Sequence, residues 1–348
     1  MEIENLRVRT EEVEPSPEPI EDALQPLPGA GSVPVEVETD TGVTGTGSVR
    51  FGRIQGAPAT LERLIERELA PIVRGADPRL VRGIHRNLRE EIEYHGTAGL
   101  ATFGIAAIDT ALWDCLGRSH DVPCWQLWGA VREEIPAYAM VGWLNYDLEQ
   151  LEERCSEAAE QGFRGVKIKV GAETLEEDRR RIETAREAID PGMDLMVDAN
   201  QALTVKEAIR RGLAFADLEV AWLEEPIPAA DVDGYARLAE RVPIPIATGE
   251  NLYSTEEFGR FLRRGAIDVV QPDRRRMGGP TGLLAVGALA DAFDRPYASH
   301  GGGPAHLNVL ACAPTVRYLE TGLLSPESPI ELADGCVSVP RGPGFSWR

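Results

Sequence analysis

GVKIKVGAETLEEDRRRIETAREAIDPGMDLMVDANQALTVKEAIRRGLAFADLEVAWLEEP, residues 165–226, holds three short apolar runs separated by two amphipathic stretches. The runs GVKIKV (165–170), LMVDAN (195–200) and VAWLEEP (220–226) have the length of buried strands. Between them, 175–189 and 204–215 carry apolar residues at helical spacing. Strand alternating with helix predicts a parallel sheet. The pattern extends in both directions. IPAYAMVGW (135–143) precedes it, and PIATGE (245–250), IDVVQPD (267–273), PYASH (296–300) and VRYLE (316–320) follow. Further helices are predicted at 148–162 and 281–293. Eight such units in one compact stretch predict an α/β fold closed as a (β/α) barrel. A doubly wound open sheet is the competing reading, and it lacks a glycine-rich dinucleotide turn after any early strand.

The residues before this region have a different texture. PVEVETDTG (34–42) and TGTGSV (44–49) alternate and predict a hairpin, while the Pro-rich, acidic PSPEPIEDALQPLPGAG (15–31) predicts a surface loop. Helical patterns begin near residue 58, and GLATFGIAAIDTALWDCLGR (99–118) is apolar on most faces, so it should be a buried helix. The expected division is an α+β domain over 1–130 and a barrel over 131–325.

The 348 residues are 43% hydrophobic, enough for two cored domains and too many for a disordered chain. No uninterrupted apolar run reaches the roughly 18 residues of a membrane span, and MEIENLRVRT lacks a signal peptide's basic start and apolar stretch. A soluble, cytoplasmic protein with no membrane partner is expected. Cys115, Cys124, Cys155, Cys312 and Cys336 have no metal-type spacing and read as reduced thiols. The 57 acidic residues outweigh 36 basic ones, a net charge of −21, which argues against a nucleic-acid partner. Only three lysines occur, Lys167, Lys169 and Lys206, the other 33 basic residues being arginine. Such a surface resembles that of halophilic proteins, whose self-repulsion is screened in concentrated salt, a GC-rich genome without salt adaptation being the alternative. The melting temperature should therefore rise between dilute buffer and molar KCl; an unchanged or lower value would refute this reading.

Seven successive runs end in ionisable or polar side chains: Lys167 and Lys169, Asp198 and Asn200, Glu224 and Glu225, Glu250, Asp273, His300, and Glu320. The active site of a barrel lies at these strand ends. Two of the three lysines stand two apart in KIK, so both face the same side of one strand. Two neighbouring cations lower each other's pKa, which suits a lysine acting as a base. Asp198, Glu224 and Glu250 are each 26 residues apart, one βα repeat. Three converging carboxylates need a cation, and an oxygen-only set favours Mg²⁺ over zinc. Asp273 and His300 come from the next two strand ends, where a carboxylate would fix the tautomer of an imidazole. His85, His95 and His120 read as helix or loop residues. His306 begins a helix-like stretch, with contact to substrate as its alternative, and Arg274, Arg275 and Arg276 read as solvated or paired side chains, one of them a candidate to reach an anionic group.

Together, GLATFGIAAIDTALWDCLGR, GVKIKVG, MVDANQ, WLEEP, TGEN, QPDRRRMGG, SH (299–300), YLE (318–320) and DGCVSVPRGPGFSW resemble the mandelate racemase branch of the enolase superfamily. The resemblance implies a modified (β/α)7β TIM-like barrel with an α+β capping domain, the tail 326–348 returning to the cap. It implies Asp198, Glu224 and Glu250 as Mg²⁺ ligands, Lys169 as base on one face of the substrate, and His300 with Asp273 as acid/base on the other. Lys167 would neutralise the substrate carboxylate, a protonated Glu320 would donate to its other side, and Asn200 would lie near the α-substituent. Asp273 stands where the muconate-cycloisomerase branch has a lysine, which marks the racemase/dehydratase pattern. Met140 and Val141 replace a polar contact of mandelate racemase, arguing against mandelate as substrate. The expected reaction is Mg-dependent proton abstraction α to a carboxylate through an ene-diolate. Dehydration of an aldonic or aldaric acid to a 2-keto-3-deoxy acid is favoured, with racemisation or epimerisation of a 2-hydroxy acid as the alternative. A non-catalytic binding protein should lack a ligand or a base, and none is missing. A homo-oligomer is expected.

Overall fold

The computed structural model describes residues 1–347. The chain opens with β1 (Ile3–Val8), β2 (Glu11–Glu21), β3 (Pro26–Thr39) and β4 (Thr44–Phe51), an antiparallel sheet with β3 as its spine. β4 covers one side of β3, while β1 and β2 share the other. Residues 15–31, expected as a loop, instead form most of the β2–β3 hairpin. Pro15, Pro17 and Pro19 cannot donate ladder bonds, so the pairing slips between Pro15 and Ile20, yet an exposed edge strand tolerates this. The turn is closed by Asp22, whose side chain accepts from the backbone N–H of Leu24 and Gln25.

Helices α1 (Ala57–Leu64) and α2 (Ala70–Val73), joined through a π-helical turn, precede α3 (Val81–Ile92), α4 (Leu100–Ser119) and α5 (Cys124–Trp128). Leu61, Ile65, Leu69 and Val73, four residues apart, form one buried stripe, and Val81, Ile84, Leu88 and Ile92 form another. Both pack around α4. Each such side chain contributes about 1.5–3 kcal/mol when buried. α4 is long and apolar enough to cross a membrane, but 78% of that stretch is buried within the fold, as befits a core helix. Gly45 and Gly47 lie within β4 against α4. A Cβ at Gly47 would sit 2.1 Å from the Ala107 carbonyl oxygen, so the glycines permit close sheet–helix approach.

The barrel runs β5 (Glu134–Gly142), α6 (Leu148–Glu160), β6 (Gly165–Lys169), α7 (Leu175–Ala188), β7 (Asp194–Asp198), α8 (Val205–Phe215), β8 (Val220–Glu224), α9 (Val232–Arg241), β9 (Ile246–Thr248), α10 (Thr255–Arg263), β10 (Val269–Val270), α11 (Pro280–Ala292), β11 (Tyr297–Ala298), α12 (Pro304–Cys312) and β12 (Val316–Thr321). All eight strands are parallel, and β12 closes on β5, giving the (β/α)7β architecture. The eight expected strands are present. α9 and α10 were not foreseen, although Asp231 and Ser254 cap their first turns. Strand residues facing the helices build one core, while Tyr138, Met196, Trp222, Val269 and Tyr318 plug the barrel interior. A short hairpin, β13 (Leu332–Ala333) and β14 (Cys336–Ser338), adds antiparallel to the start of β5. Beyond it, Phe345 packs on Trp128 and donates its N–H to Asp114 of α4.

Asp109 of α4 joins the two layers by accepting from the N–H (2.9 Å) and the hydroxyl (2.7 Å) of Thr281 on α11. Burial pushes its carboxyl up to about 7, against the two Thr281 bonds. In the unfolded chain an aspartate titrates near 3.9. The folded state therefore holds the extra proton between about pH 4 and 7, and stability from this group falls as pH rises through that window. The loss should be on the order of 2–4 kcal/mol. In denaturant titrations at pH 5 and pH 8, Asp109→Asn should shrink the difference between the two; an unchanged difference would place the pH dependence elsewhere.

Candidate active site

β6 is buried along its whole length, and Lys167 and Lys169, as alternate residues, enter the barrel while Val166 and Ile168 join the core beneath the helices. Asp198 ends β7, Glu224 ends β8 and Glu250 lies just past β9. One oxygen from each of these carboxylates lies within 4.8 Å of the others. Asp273 and His300 follow β10 and β11 and are joined by a bridge of their own, while Glu320 lies on β12. The structure thus brings all of these residues to one rim, with Asn200 beside Asp198. His95 and His120 lie in the capping region, as does His85, which stands against Gly278 in the loop after Asp273.

The ion pairs interlock. Lys169 Nζ is 2.6 Å from Asp198 Oδ2, and Lys167 Nζ is 2.6 Å from Glu224 Oε1 and also contacts Glu320. His300 Nδ1 is 2.9 Å from Asp273 Oδ2, and its Nε2 is 3.0 Å from Glu250 Oε2. Burial opposes the charge on Asp198, Glu224, Asp273, His300, Glu320 and both lysines, and the neighbours outweigh it everywhere except at Glu224. Asp198 lies below its usual value because Lys169 and Lys167 outweigh burial. Glu224 is pushed up to about 7 by burial, against the pull of Lys167. Both lysines lie above their usual value, since the carboxylates outweigh both burial and their mutual repulsion. That reverses the sequence expectation, which counted the two cations without the acids facing them. Burial disfavours the His300 cation, yet Glu250 and Asp273 raise its pKa.

Glu320 also departs from expectation. Burial favours its protonated form, but Lys167 and His300 hold it well below the carboxylate range. Its oxygens accept from the Tyr138 hydroxyl (2.5 Å) and the Gly301 N–H (2.9 Å). These partners favour its ionised, accepting form, against the protonated donor that the resemblance implies.

Supporting groups were missed at the sequence level. Trp222 Nε1 donates to Glu224 (3.1 Å), and Asn251 Nδ2 donates to Glu225 (2.6 Å). Tyr138 could have been found as an inward residue of the first strand, because it alternates with the core-facing Ala137 and Ala139. Asn200, Gln201 and Glu225 adopt left-handed backbone at φ of 42°, 66° and 37°, local strain that turns the strand ends into the site. Asn200 Oδ1 is buried without a hydrogen-bond partner among the described residues. A cavity of about 480 Å³ opens beside His300, walled by Ile20 and Leu27 of the hairpin, by Arg50, and by Arg275 and His306. A larger hollow of about 930 Å³ surrounds Pro245 and Arg295 at the opposite end of the barrel and contains none of the rim residues.

The sequence pattern of the mandelate racemase / muconate lactonizing enzyme N-terminal domain matches residues 5–129, and that of the enolase C-terminal domain-like group matches residues 150–348. The chain belongs to the mandelate racemase / muconate lactonizing enzyme family. Among the relatives of this family member is the 3,6-anhydro-alpha-L-galactonate cycloisomerase of Streptomyces coelicolor, 34% identical over 90% of this chain and 87% of that protein. A racemase from Streptomyces coelicolor, crystallised with bound magnesium, superposes with a TM-score of 0.93 at 32% identity, covering 99% of this chain and 96% of the other. The L-talarate/galactarate dehydratase of Salmonella typhimurium, liganded with Mg and L-lyxarohydroxamate, does so with a TM-score of 0.90 at 32% identity, covering 99% and 89%.

Proposed function

We propose that this family member is a Mg²⁺-dependent sugar-acid dehydratase converting an aldonic or aldaric acid to a 2-keto-3-deoxy acid. The observation that carries the proton abstraction is the order of groups around the rim, and the relatives named for dehydration favour loss of water after it. The carboxylates sit on three adjacent strands, β7, β8 and β9, with the lysines before them on β6 and the Asp273–His300 pair after them on β10 and β11. A substrate carboxylate held over the triad is thereby flanked by a base on each side.

The donor set fits Mg²⁺, being three oxygen ligands that converge from neighbouring strands and leave octahedral positions for water or substrate. Bound there, Mg²⁺ supplies positive charge where the substrate carboxylate gains negative charge. Lys167, buried and cationic, neutralises the same carboxylate. With the charge of Asp198 offset by the cation it holds, Lys169 loses the carboxylate that keeps it protonated, and its neutral Nζ then takes the α-proton, leaving an ene-diolate. Asp273 accepts the Nδ1–H of His300, which fixes the tautomer and turns Nε2 toward the site. Protonated His300 gives its proton to the departing β-hydroxyl, which leaves as water, and the resulting enol tautomerises to the 2-keto acid. Relatives named for dehydration of arabinonate, L-talarate/galactarate and L-rhamnonate support this reading.

Racemisation or epimerisation is the second reading, because the same two flanking bases suffice for it. A panel of aldonic and aldaric acids incubated with the enzyme and Mg²⁺ separates the two. Dehydration predicts 2-keto acid from at least one of them. Solvent deuterium entering the α-position with no 2-keto acid formed from any would reject dehydration in favour of racemisation.

A further inference from the structure

The three arginines after Asp273 have no part in the proposed reaction, and the structure gives them different tasks. Arg274 is tied to the cap through the Thr110 hydroxyl and the Ser48 carbonyl and makes no bond to Asp273, while Arg276 donates its backbone N–H to Asp273 Oδ1 at 3.0 Å and holds Nη1 3.9 Å from Oδ2. Arg275 grips Asp273 directly. Its Nε lies 3.2 and 3.1 Å from the two carboxylate oxygens, its Nη2 lies 2.9 Å from Oδ2, and its backbone N–H donates to Oδ1 at 2.8 Å. Oδ2 is the oxygen that meets His300 Nδ1. The remaining nitrogen, Nη1, donates to the Arg50 carbonyl of β4 at 3.1 Å, and the guanidinium lies 5.7 Å from the Phe103 ring of α4.

An aspartate carboxylate turns easily about its last torsion. A fork that spans both oxygens fixes its plane, which a point charge cannot do. The plane of Asp273 in turn sets where the imidazole stands. Because the same fork is anchored on β4 and α4, the plane is referenced to the capping sheet as well as to the barrel. We propose that Arg275 is a positioning residue that fixes the Asp273–His300 pair in register with the capping domain. The kinetic arm of its test rests on the dehydratase reading above; the spectroscopic arm does not.

Arg275→Ala and Arg275→Lys, each checked for folding by circular dichroism, test this with the Mg²⁺-loaded enzyme. Loss of position at His300 should lower kcat for 2-keto acid formation about 10²-fold, with KM within about threefold. Exchange of the α-proton with deuterated solvent, which occurs at Lys169, should stay within about threefold. Arg275→Lys should not restore turnover, and added guanidinium should recover about tenfold in Arg275→Ala. The downfield proton resonance of His300 Nδ1–H, visible without substrate, should shift or broaden in both variants. Equal loss of exchange and product, full rescue by lysine, or an unchanged Nδ1–H resonance would each overturn the proposal. If the wild-type enzyme dehydrates no acid, the function is wrong, and the resonance alone still decides the role of Arg275.

Discussion

His300→Asn should lower 2-keto acid formation about 10³-fold while leaving α-proton exchange measurable. A general acid contributes about 10²–10⁴-fold, and asparagine keeps a similar shape without a proton to give. Lys169 stands on the other side of the triad, 2.6 Å from Asp198 and without contact to His300, so its proton transfer should survive. In a racemase the variant should exchange the proton of one enantiomer and spare the other. If His300 is the only base of a dehydratase, exchange and product disappear together, and Lys169 becomes an electrostatic partner. Undiminished turnover would remove His300 from the chemistry altogether.

Exhaustive chelation should reduce turnover to below about one-thousandth, with Mg²⁺ restoring it. Charged carboxylates within 4.8 Å of one another repel by about 3.5 kcal/mol or more per pair at an effective dielectric of 20. The two lysines offset part of this, yet Glu224 is still pushed up to about 7 by burial. Adding Mg²⁺ at a hundred times its dissociation constant should stabilise the fold by about 2.7 kcal/mol. Melting curves with and without Mg²⁺ measure this, and Glu224→Gln should abolish most of the shift. Full activity in the chelated enzyme would refute the assignment of the triad.

These expectations draw on both sequence and structure, and the two differ in what they reveal. The barrel was legible because short apolar runs recur from 135 to 320, with helical patterns in four of the gaps between them. The rim was legible because a chain with three lysines spends two of them in KIK, and because three carboxylates recur at equal spacing. The β2 strand was not legible, since its prolines and glutamates carry no period and it is held by tertiary anchors. These are the Glu21 N–H to Asn145 (2.9 Å) and the Glu18–Arg154 pair (3.2 Å). The charge states of Lys167, Lys169 and Glu320 were also out of reach. Each depends on partners brought from other strands, and local sequence cannot weigh burial against those partners. Helix α10 had a readable signal that went unused: Ser254 followed three residues later by Glu257, which returns a bond to Tyr253 N–H.

The closing strand pair has a kinetic meaning. Tyr138 on β5 and Glu320 on β12 share a hydrogen bond across 182 residues of chain. Contacts so distant form late, because the intervening loop must first lose its entropy. Until β12 docks, Glu320 has neither Tyr138 nor Lys167, and Lys167 lacks one of its two close carboxylates. A partly assembled barrel therefore has no organised site with which to attack cellular carboxylates. Recovery of activity during refolding should consequently report ring closure itself, lagging behind the return of helical signal.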